Sequence, residues 1–417
     1  MGTERIAGRS RFTALLAFAS ALALCACPKA EPVPAMQVDP MDAIPRRVPV
    51  HRVRLGPAVG AAQHPMGTRP VAAAEVLVVG VASRFHGIDL RTGVVRWSHD
   101  AAPALFRPSV EGEALYLPFA LHGGQARVDT VDARTGRLLR TTRPKRKSSL
   151  APGAIDVAFN TAPTIGGGRI LWPSSRALTA FELATGAELW TFEGSGPTPY
   201  RRFQFGSDPA IVEDGIAYWG HQQGVSAVVV ATGKPRWSWP SHRGFALRPV
   251  LTPDALITTT DKEVVALERQ TGVVRWVFAH DGMGFEHVAN DDVAGYRSGV
   301  YWFVGEPMPF HFWLLFLDAK TGKGRAAAEL FGRGLTGSVT SDGVHLYARL
   351  GEWLVCYRLA TAKPLWRVWL GGTEGGSSPT FAAGKAWIVG ADGTVFGVSP
   401  DDVPVDAGLT HGSPRGL

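Results

Sequence analysis

The densest cluster of polar groups in the chain is HDGMGFEHVANDD, residues 280–292. Glu286, His287, Asn290, Asp291 and Asp292 are hard donors of the kind a Ca2+ ion accepts. The Asp-x-Asp-x-Asp-Gly spacing of a calcium loop is absent, however, and Asp and Asn are ordinary turn formers. The stretch therefore reads as a connecting loop, and no metal is expected there. Twelve histidines are scattered without a pair at ligand spacing, which argues against zinc. No Gly-x-Ser-x-Gly elbow and no phosphate-binding glycine loop occurs. Of the three cysteines, Cys25 and Cys27 sit near the N-terminus. Cys356 lies in EWLVCYRL, residues 352–359, whose alternation predicts a strand and a buried structural thiol. No catalytic residue is expected.

The N-terminal residues carry a different message. Arg5, Arg9 and Arg11 precede an apolar run over 12–26, the charge-then-hydrophobic plan of a secretory signal. That run is short for a membrane span. It ends Leu24-Cys25-Ala26-Cys27, which resembles the bacterial lipobox, with Leu at −3 and a small residue at −1. The resemblance implies diacylglycerol on Cys27; Cys25 would put Leu24 at −1 and departs from the pattern. Residues 1–27 are read as a lipoprotein signal peptide and the proline-rich 28–45 as a flexible tether. After processing, only Cys27 and Cys356 remain, so no internal disulfide is expected. The most apolar later segment, FHFWLLFL at 310–317, is too short to span a bilayer and predicts a buried strand.

Composition points to many short strands joined by turns. Charged residues make up 19% against 49 glycines and 30 prolines. The net charge of +7 is spread over 417 residues, and the basic runs at 143–149 and 46–54 read as solvated loops, so no nucleic acid is expected as a partner.

The organising feature is a repeated phrase. IDLRTGVVRW begins at Ile88, and related phrases recur around Thr92, Thr135, Thr185, Thr232, Thr271, Thr321 and Thr361. The steps are 43, 50, 47, 39, 50 and 40 residues, a period that suits a propeller blade. Gly93, Gly136, Gly186, Gly233, Gly272 and Gly322 follow the Thr, where the chain needs positive φ; Ala362 is the variant. Four residues further on stand Trp97, Trp190, Trp237, Trp276 and Trp366, with Arg140 and Ala326 as exceptions. Three residues before the Thr, Asp89, Asp132, Asp318, Glu182 and Glu268 are placed to accept backbone N–H bonds across the turn. A hairpin and half-buried strand recur upstream, at 110–119, 212–220, 340–349 and 382–390.

Seven phrases and an eighth upstream half at 377–402 predict an all-β, eight-bladed β-propeller of four-stranded antiparallel blades over 46–402. The β-prone segment 46–56 is expected to complete the last blade and remove an open edge, and 403–417 forms a C-terminal tail.

From 69 to 402 the units resemble the pyrroloquinoline-quinone-like propeller repeat, carried by GIDLRTGVVRW, AFELATGAELW and VALERQTGVVRW. The resemblance implies one of two activities. Quinoprotein dehydrogenases of this family hold the quinone (PQQ) with calcium; the adjacent cysteines expected of such an alcohol dehydrogenase are missing here. The other branch comprises non-catalytic lipoproteins of outer-membrane β-barrel assembly. It implies a periplasm-facing scaffold at the outer membrane, a monomer within a complex that includes the β-barrel insertase and its accessory lipoproteins. The scaffold, without PQQ or calcium, is the expected function. A quinoprotein dehydrogenase, a sensor, or a propeller binding glycan or peptide is the alternative. Candidate partner contacts are Arg201, Arg202 and Phe203 in YRRFQFG, and Phe310 and Phe312 in GEPMPFHFW.

Overall fold

The Thr-Gly phrases turn out to be the turns between the third and the outermost strand of successive sheets. In the computed structural model, the residues described are 35–36, 44–47, 49–55, 69–81, 84–100, 104–105, 107–121, 125–145, 162–174, 177–194, 209–221, 223–241, 249–260, 263–279, 293–299, 302–303, 306–307, 311–330, 339–372 and 377–400. All of them lie in one unit, Val33–Leu417. The first sheet shows the plan: Val71–Ala73, Val76–Val81, Arg84–Asp89 and Val95–Asp100 run antiparallel from one edge to the other. The third (Thr164–Gly166 to Glu188–Glu193), fourth (Ile211–Glu213 to Pro235–Pro240), fifth (Val250–Leu251 to Val274–Ala279) and seventh (Thr340–Ser341 to Pro364–Trp369) sheets repeat it.

Packing joins neighbouring sheets. Val78, Phe85 and Trp97 of the first pack with Leu117, Phe119 and Val131 of the second. Equivalent cores join the second to the third, the third to the fourth, the fourth to the fifth and the fifth to the sixth. The seventh packs on the last, and the last returns to the first through Trp387, Val389 and Val395 against Leu77, Val79 and Ile88. The unit is an all-β propeller of four-stranded antiparallel blades. With both faces covered, the middle strands are buried along their length rather than on alternate residues, as in Ile216–His221 and His345–Leu350. Cys356 follows suit, in a strand buried from Leu354 to Tyr357.

Seven sheets have four strands, not the eight expected. The sheet at the second repeat has five, because Ala104–Leu105 and Ser109–Glu111 both pair with the long strand Ala114–Leu121. Pro108, without an N–H to continue the ladder, falls between the two short pieces. The sixth sheet also departs from the plan. Beside Val293–Gly299, His311–Leu317 and Gly324–Leu330, its fourth strand is Ala35–Met36, pairing in parallel on the outer edge. Trp302–Phe303 and Glu306–Pro307 form a separate ribbon.

The last sheet takes its outermost strand from far upstream. His51–Arg54 pairs antiparallel with Thr394–Val398, beside Lys385–Val389 and Thr380–Ala382. His51 stacks on Trp387 with ring centroids 5.4 Å apart, and Val53 and Leu55 pack into the core shared by the last and first sheets. A Val53→Asp substitution should therefore cost about 2 kcal/mol or more, since it places a carboxylate in that half-buried apolar contact. Hydrogen exchange should show protection lost first over Thr394–Val398; a loss confined to residues 51–54 would contradict the closure.

Candidate functional site

The repeated turn is the best-defined constellation in the structure. In the first six phrases the glycine N–H donates to the carbonyl four residues back, as in Gly93 to Asp89 at 2.8 Å and Gly272 to Glu268 at 2.8 Å. The Asp89 carboxylate accepts N–H bonds from Arg91 (2.9 Å) and Thr92 (2.6 Å). Asp132 and Asp318 do the same with the second and third residues that follow them. They also accept the hydroxyls of Thr135 (2.8 Å) and Thr321 (3.0 Å). The glutamates differ from expectation. Glu182 and Glu268, one methylene longer, accept the hydroxyls of Thr185 and Thr271 instead. The Thr92 N–H and the ion pair with Arg96 hold the Asp89 carboxyl well below the usual carboxylate range.

Two phrases have no acid at that position: Val229 stands three residues before Thr232, and Arg358 three before Thr361. The backbone carbonyl serves instead. Thr232 N donates to Val229 O and Thr361 N to Arg358 O, each at 3.2 Å. The threonine itself has a role that spacing alone did not assign. From Thr92 to Thr361, all seven hydroxyl oxygens accept the N–H of the residue two further on, at 3.1–3.4 Å. Thr135, Thr232, Thr321 and Thr361 thus act inside their own turns, as do the other three, and the structure brings none of them together with a second repeat threonine.

The tryptophans reach across to the next sheet. The indole N–H of Trp97 donates to Ala133 O at 3.0 Å, that of Trp190 to Val230 O at 3.0 Å, and that of Trp237 to Arg269 O at 2.9 Å. Trp276 reaches Ala319 O at 3.1 Å and Trp366 reaches Pro400 O at 3.3 Å. Four of the acceptors lie two residues before the next repeat threonine, and Pro400 stands two before Asp402, where an eighth phrase would begin. Within its own sheet each ring faces a small residue across the ladder: Gly87, Ala180, Ala227, Ala266 or Cys356. The Cys356 thiol thus occupies a site that demands a small side chain.

Where the Trp is missing, other groups take its place. After Arg140, Thr142 Oγ1 donates to Leu183 O at 2.7 Å, and Lys145 N donates to Gly186 O at 2.8 Å. Part of the basic run read as a solvated loop, Arg143 to Lys145, therefore lies against the third sheet. His51 fills the corresponding position beside Gly93.

Three polar clusters escaped the sequence reading; those at Asp129 and Ser226 join separate strands, whereas Asp342 gathers its donors from the turn and strand that follow it. Asp129, 3% exposed, accepts from Thr141 Oγ1 (2.8 Å), His99 (3.1 Å) and Arg127 (3.1 Å). Asp342 takes N–H bonds from Val344 and His345 and the Tyr347 hydroxyl at 2.7 Å. Burial alone would raise its pKa, but these bonds bring it below the usual range. His221 Nε2 lies 3.0 Å from Ser226 Oγ, itself 2.9 Å from Ser238 Oγ. A Ser–His pair invites a nucleophilic reading, yet Ser226 is 1% exposed and no substrate reaches it. Arg349 is likewise buried, its Nε bound to Gly351 O at 3.1 Å, and burial lowers its pKa to about 10. No alternation or spacing in the sequence marks it.

Several expected sites lie outside the described residues: Cys27, the cluster at 280–292, Arg201, Arg202, Phe203 and Phe310. Phe312 is in the strand His311–Leu317, its backbone paired with Ser298 and Leu330. Among the described residues no three His, Cys, Asp or Glu side chains converge on a metal position.

Docked tryptophans and Thr-Gly turns on a ring of antiparallel sheets define a propeller of the quinoprotein-like repeat class. The chain belongs to the family described as outer membrane protein assembly factor BamB, whose family model matches residues 58–278. The crystal structure of BamB from Moraxella catarrhalis is similar, with a TM-score of 0.60 at 14% identity, covering 84% of this chain and 99% of that one. Quinohemoprotein alcohol dehydrogenase from Comamonas testosteroni gives a TM-score of 0.60 at 14% identity over 88% of this chain and 78% of that one. The computationally designed Ika8 protein gives 0.59 at 15% identity, over 83% and 99%. At such identities the likeness establishes the fold. Comparison with curated proteins gives no match.

Burial pushes the His221 pKa down to about 4, so its neutral form is the one the fold accommodates. Stability from this group is complete above its ordinary value of 6.5 and is lost as pH falls from there toward 4, by about 3 kcal/mol in all. Denaturant unfolding of His221→Asn should be correspondingly less pH-dependent over that window; an unchanged slope would refute the assignment.

Proposed function

We propose that the protein is a non-catalytic, periplasm-facing lipoprotein scaffold, anchored through Cys27, that binds protein partners in outer-membrane protein assembly. The family match over residues 58–278 carries this reading. The signal-like residues 1–27 agree with it, since they would deliver the chain to the envelope. In this reading the five-stranded sheet counts as one blade of an eight-bladed ring spanning 46–402. The partners are the β-barrel insertase and its accessory lipoproteins, and the protein acts as a monomer within that complex. Loops between sheets supply the contacts, with Arg201, Arg202, Phe203 and Phe310 as candidates, and Phe312 as a candidate at the start of the strand His311–Leu317.

The second reading is a quinone-dependent oxidoreductase or a ligand-sensing propeller, supported by the fold likeness to quinohemoprotein alcohol dehydrogenase. Against it stand the absence of adjacent cysteines in the sequence and, among the described residues, of a carboxylate cluster fit for calcium. The proposal therefore assigns neither PQQ nor calcium to this chain.

Crosslinking the native protein in membranes, followed by mass spectrometry, tests the proposal. The insertase and accessory lipoproteins should be recovered, and Arg201→Glu/Arg202→Glu/Phe203→Ala should reduce their yield at least tenfold. Recovery with cytochromes and a bound quinone would overturn the scaffold reading.

A further inference from the structure

We propose that the outer rim formed by the seventh and last sheets is a contact surface for anionic phospholipid headgroups. The N-terminal arm lies along this rim. Arg47 N donates to Arg367 O at 2.8 Å and Arg367 N to Pro45 O at 2.9 Å, so the arm lines the outer edge of the seventh sheet. Three residues after Arg47 the chain reaches Val50, and His51–Arg54 then forms the edge of the last sheet. In that strand His51 and Val53 turn inward while Arg52 and Arg54 are exposed. Arg46 is exposed as well, with its guanidinium 5.1 Å from the ring centre of Trp353.

This rim combines two features. Arg46, Arg52 and Arg54 make no ion pair among the described residues, a trait they share with Arg137 and Arg140 of the second sheet, whereas Arg84, Arg96, Arg134 and Arg269 are each matched to a carboxylate. Glu352, next to Trp353, makes no ion pair among the described residues, and its backbone carbonyl accepts from Leu370 N at 2.8 Å. Among the described residues Trp369 is also the one aromatic in the set of strongly exposed large apolar side chains, at 51%, and Val50 is exposed at 48%. Trp369 pairs across the ladder with Trp353. An exposed indole beside unpaired cations on a convex edge matches a headgroup layer, where tryptophan sits at the interface and arginine meets phosphate. A protein interface would need a larger apolar centre than Val50 and Trp369 provide.

The test uses the full chain carrying Cys27→Ser, so that no acyl group is attached there. Its sedimentation is measured with vesicles of phosphatidylethanolamine, with and without phosphatidylglycerol, at low salt. Binding should require phosphatidylglycerol and weaken as salt rises. Arg46→Gln/Arg52→Gln/Arg54→Gln should bind about a hundredfold more weakly. Arg134→Gln/Arg137→Gln/Arg140→Gln, which removes as many exposed cations from the second sheet's rim, should bind nearly as well as the parent. Circular dichroism would confirm that both variants are folded. Equal losses in the two variants, or no binding to phosphatidylglycerol, would overturn the proposal. Vesicle binding that survives the rim substitutions while crosslinking to the insertase is lost would make the rim a protein interface instead. Because the vesicles contain no assembly partners, a negative result here leaves the scaffold reading standing.

Discussion

A tryptophan on one sheet and a glycine on the next must share a space that admits nothing larger. A Cβ added to Gly136, Gly233, Gly272 or Gly322 would come within 2.5–2.6 Å of Trp97, Trp190, Trp237 or Trp276 respectively. The same glycines have φ between +69° and +73°, so the turn and the docking both demand glycine. The indole N–H adds a bond to a carbonyl two residues before the turn threonine, fixing the register of one sheet against the next. Loss of one such ring should cost about 3–5 kcal/mol. The seventh sheet shows the rule by exception. There Ala362, after Thr361, takes the turn at φ +54°, and the preceding sheet has Ala326 where a tryptophan would stand. Without a ring to accommodate, the glycine is no longer obligatory.

This docking also explains how the ends are managed. A ring of sheets has no open face, but each outermost strand is an edge that could pair with another chain. Three edges are covered from within: Ala35–Met36 on the sixth, Arg46 on the seventh and Lys145 at the turn of the third. The fourth is blunted by Pro235 and Pro240 at the two ends of its outer strand. The arm that covers the sixth and seventh edges goes on to complete the last sheet, where His51 stands against Gly93 as a tryptophan does elsewhere. Closing the ring and covering its edges are thus one structural task, and the basic residues of the arm are left on the outside.

The repeat was legible because its parts sit at fixed spacing. Asp89, Thr92 and Gly93 act within one turn, so their roles follow from local geometry, and Trp97 is marked by its fixed place after them although its partners lie on the next sheet. Thr232 and Thr361 keep the same turn without an acid before them, because the backbone carbonyl is always there to accept. The five-stranded sheet was not legible, since nothing in the spacing shows that Pro108 splits an inner strand into two pieces. Alternation in residues 352–359 marks a strand with a buried thiol, and because a blade is covered on both faces Val355 and Cys356 are both buried. The Asp129 cluster and the His221–Ser226–Ser238 row depend on strands brought together by the fold. Arg143 to Lys145 read as a loop because basic residues are ordinarily solvated. Its docking on Gly186 depends on a missing tryptophan in the sheet before.

The interlock itself is tested most directly by a double-mutant cycle on Trp237 and Gly272, read as unfolding free energy. The account predicts that Gly272→Ala is severe in the parent but costs only about 1–2 kcal/mol once Trp237→Ala has removed the ring, the residue being that of a left-handed backbone. Additive losses from the two substitutions would contradict it, and would mean that ring and glycine stabilise the blades independently.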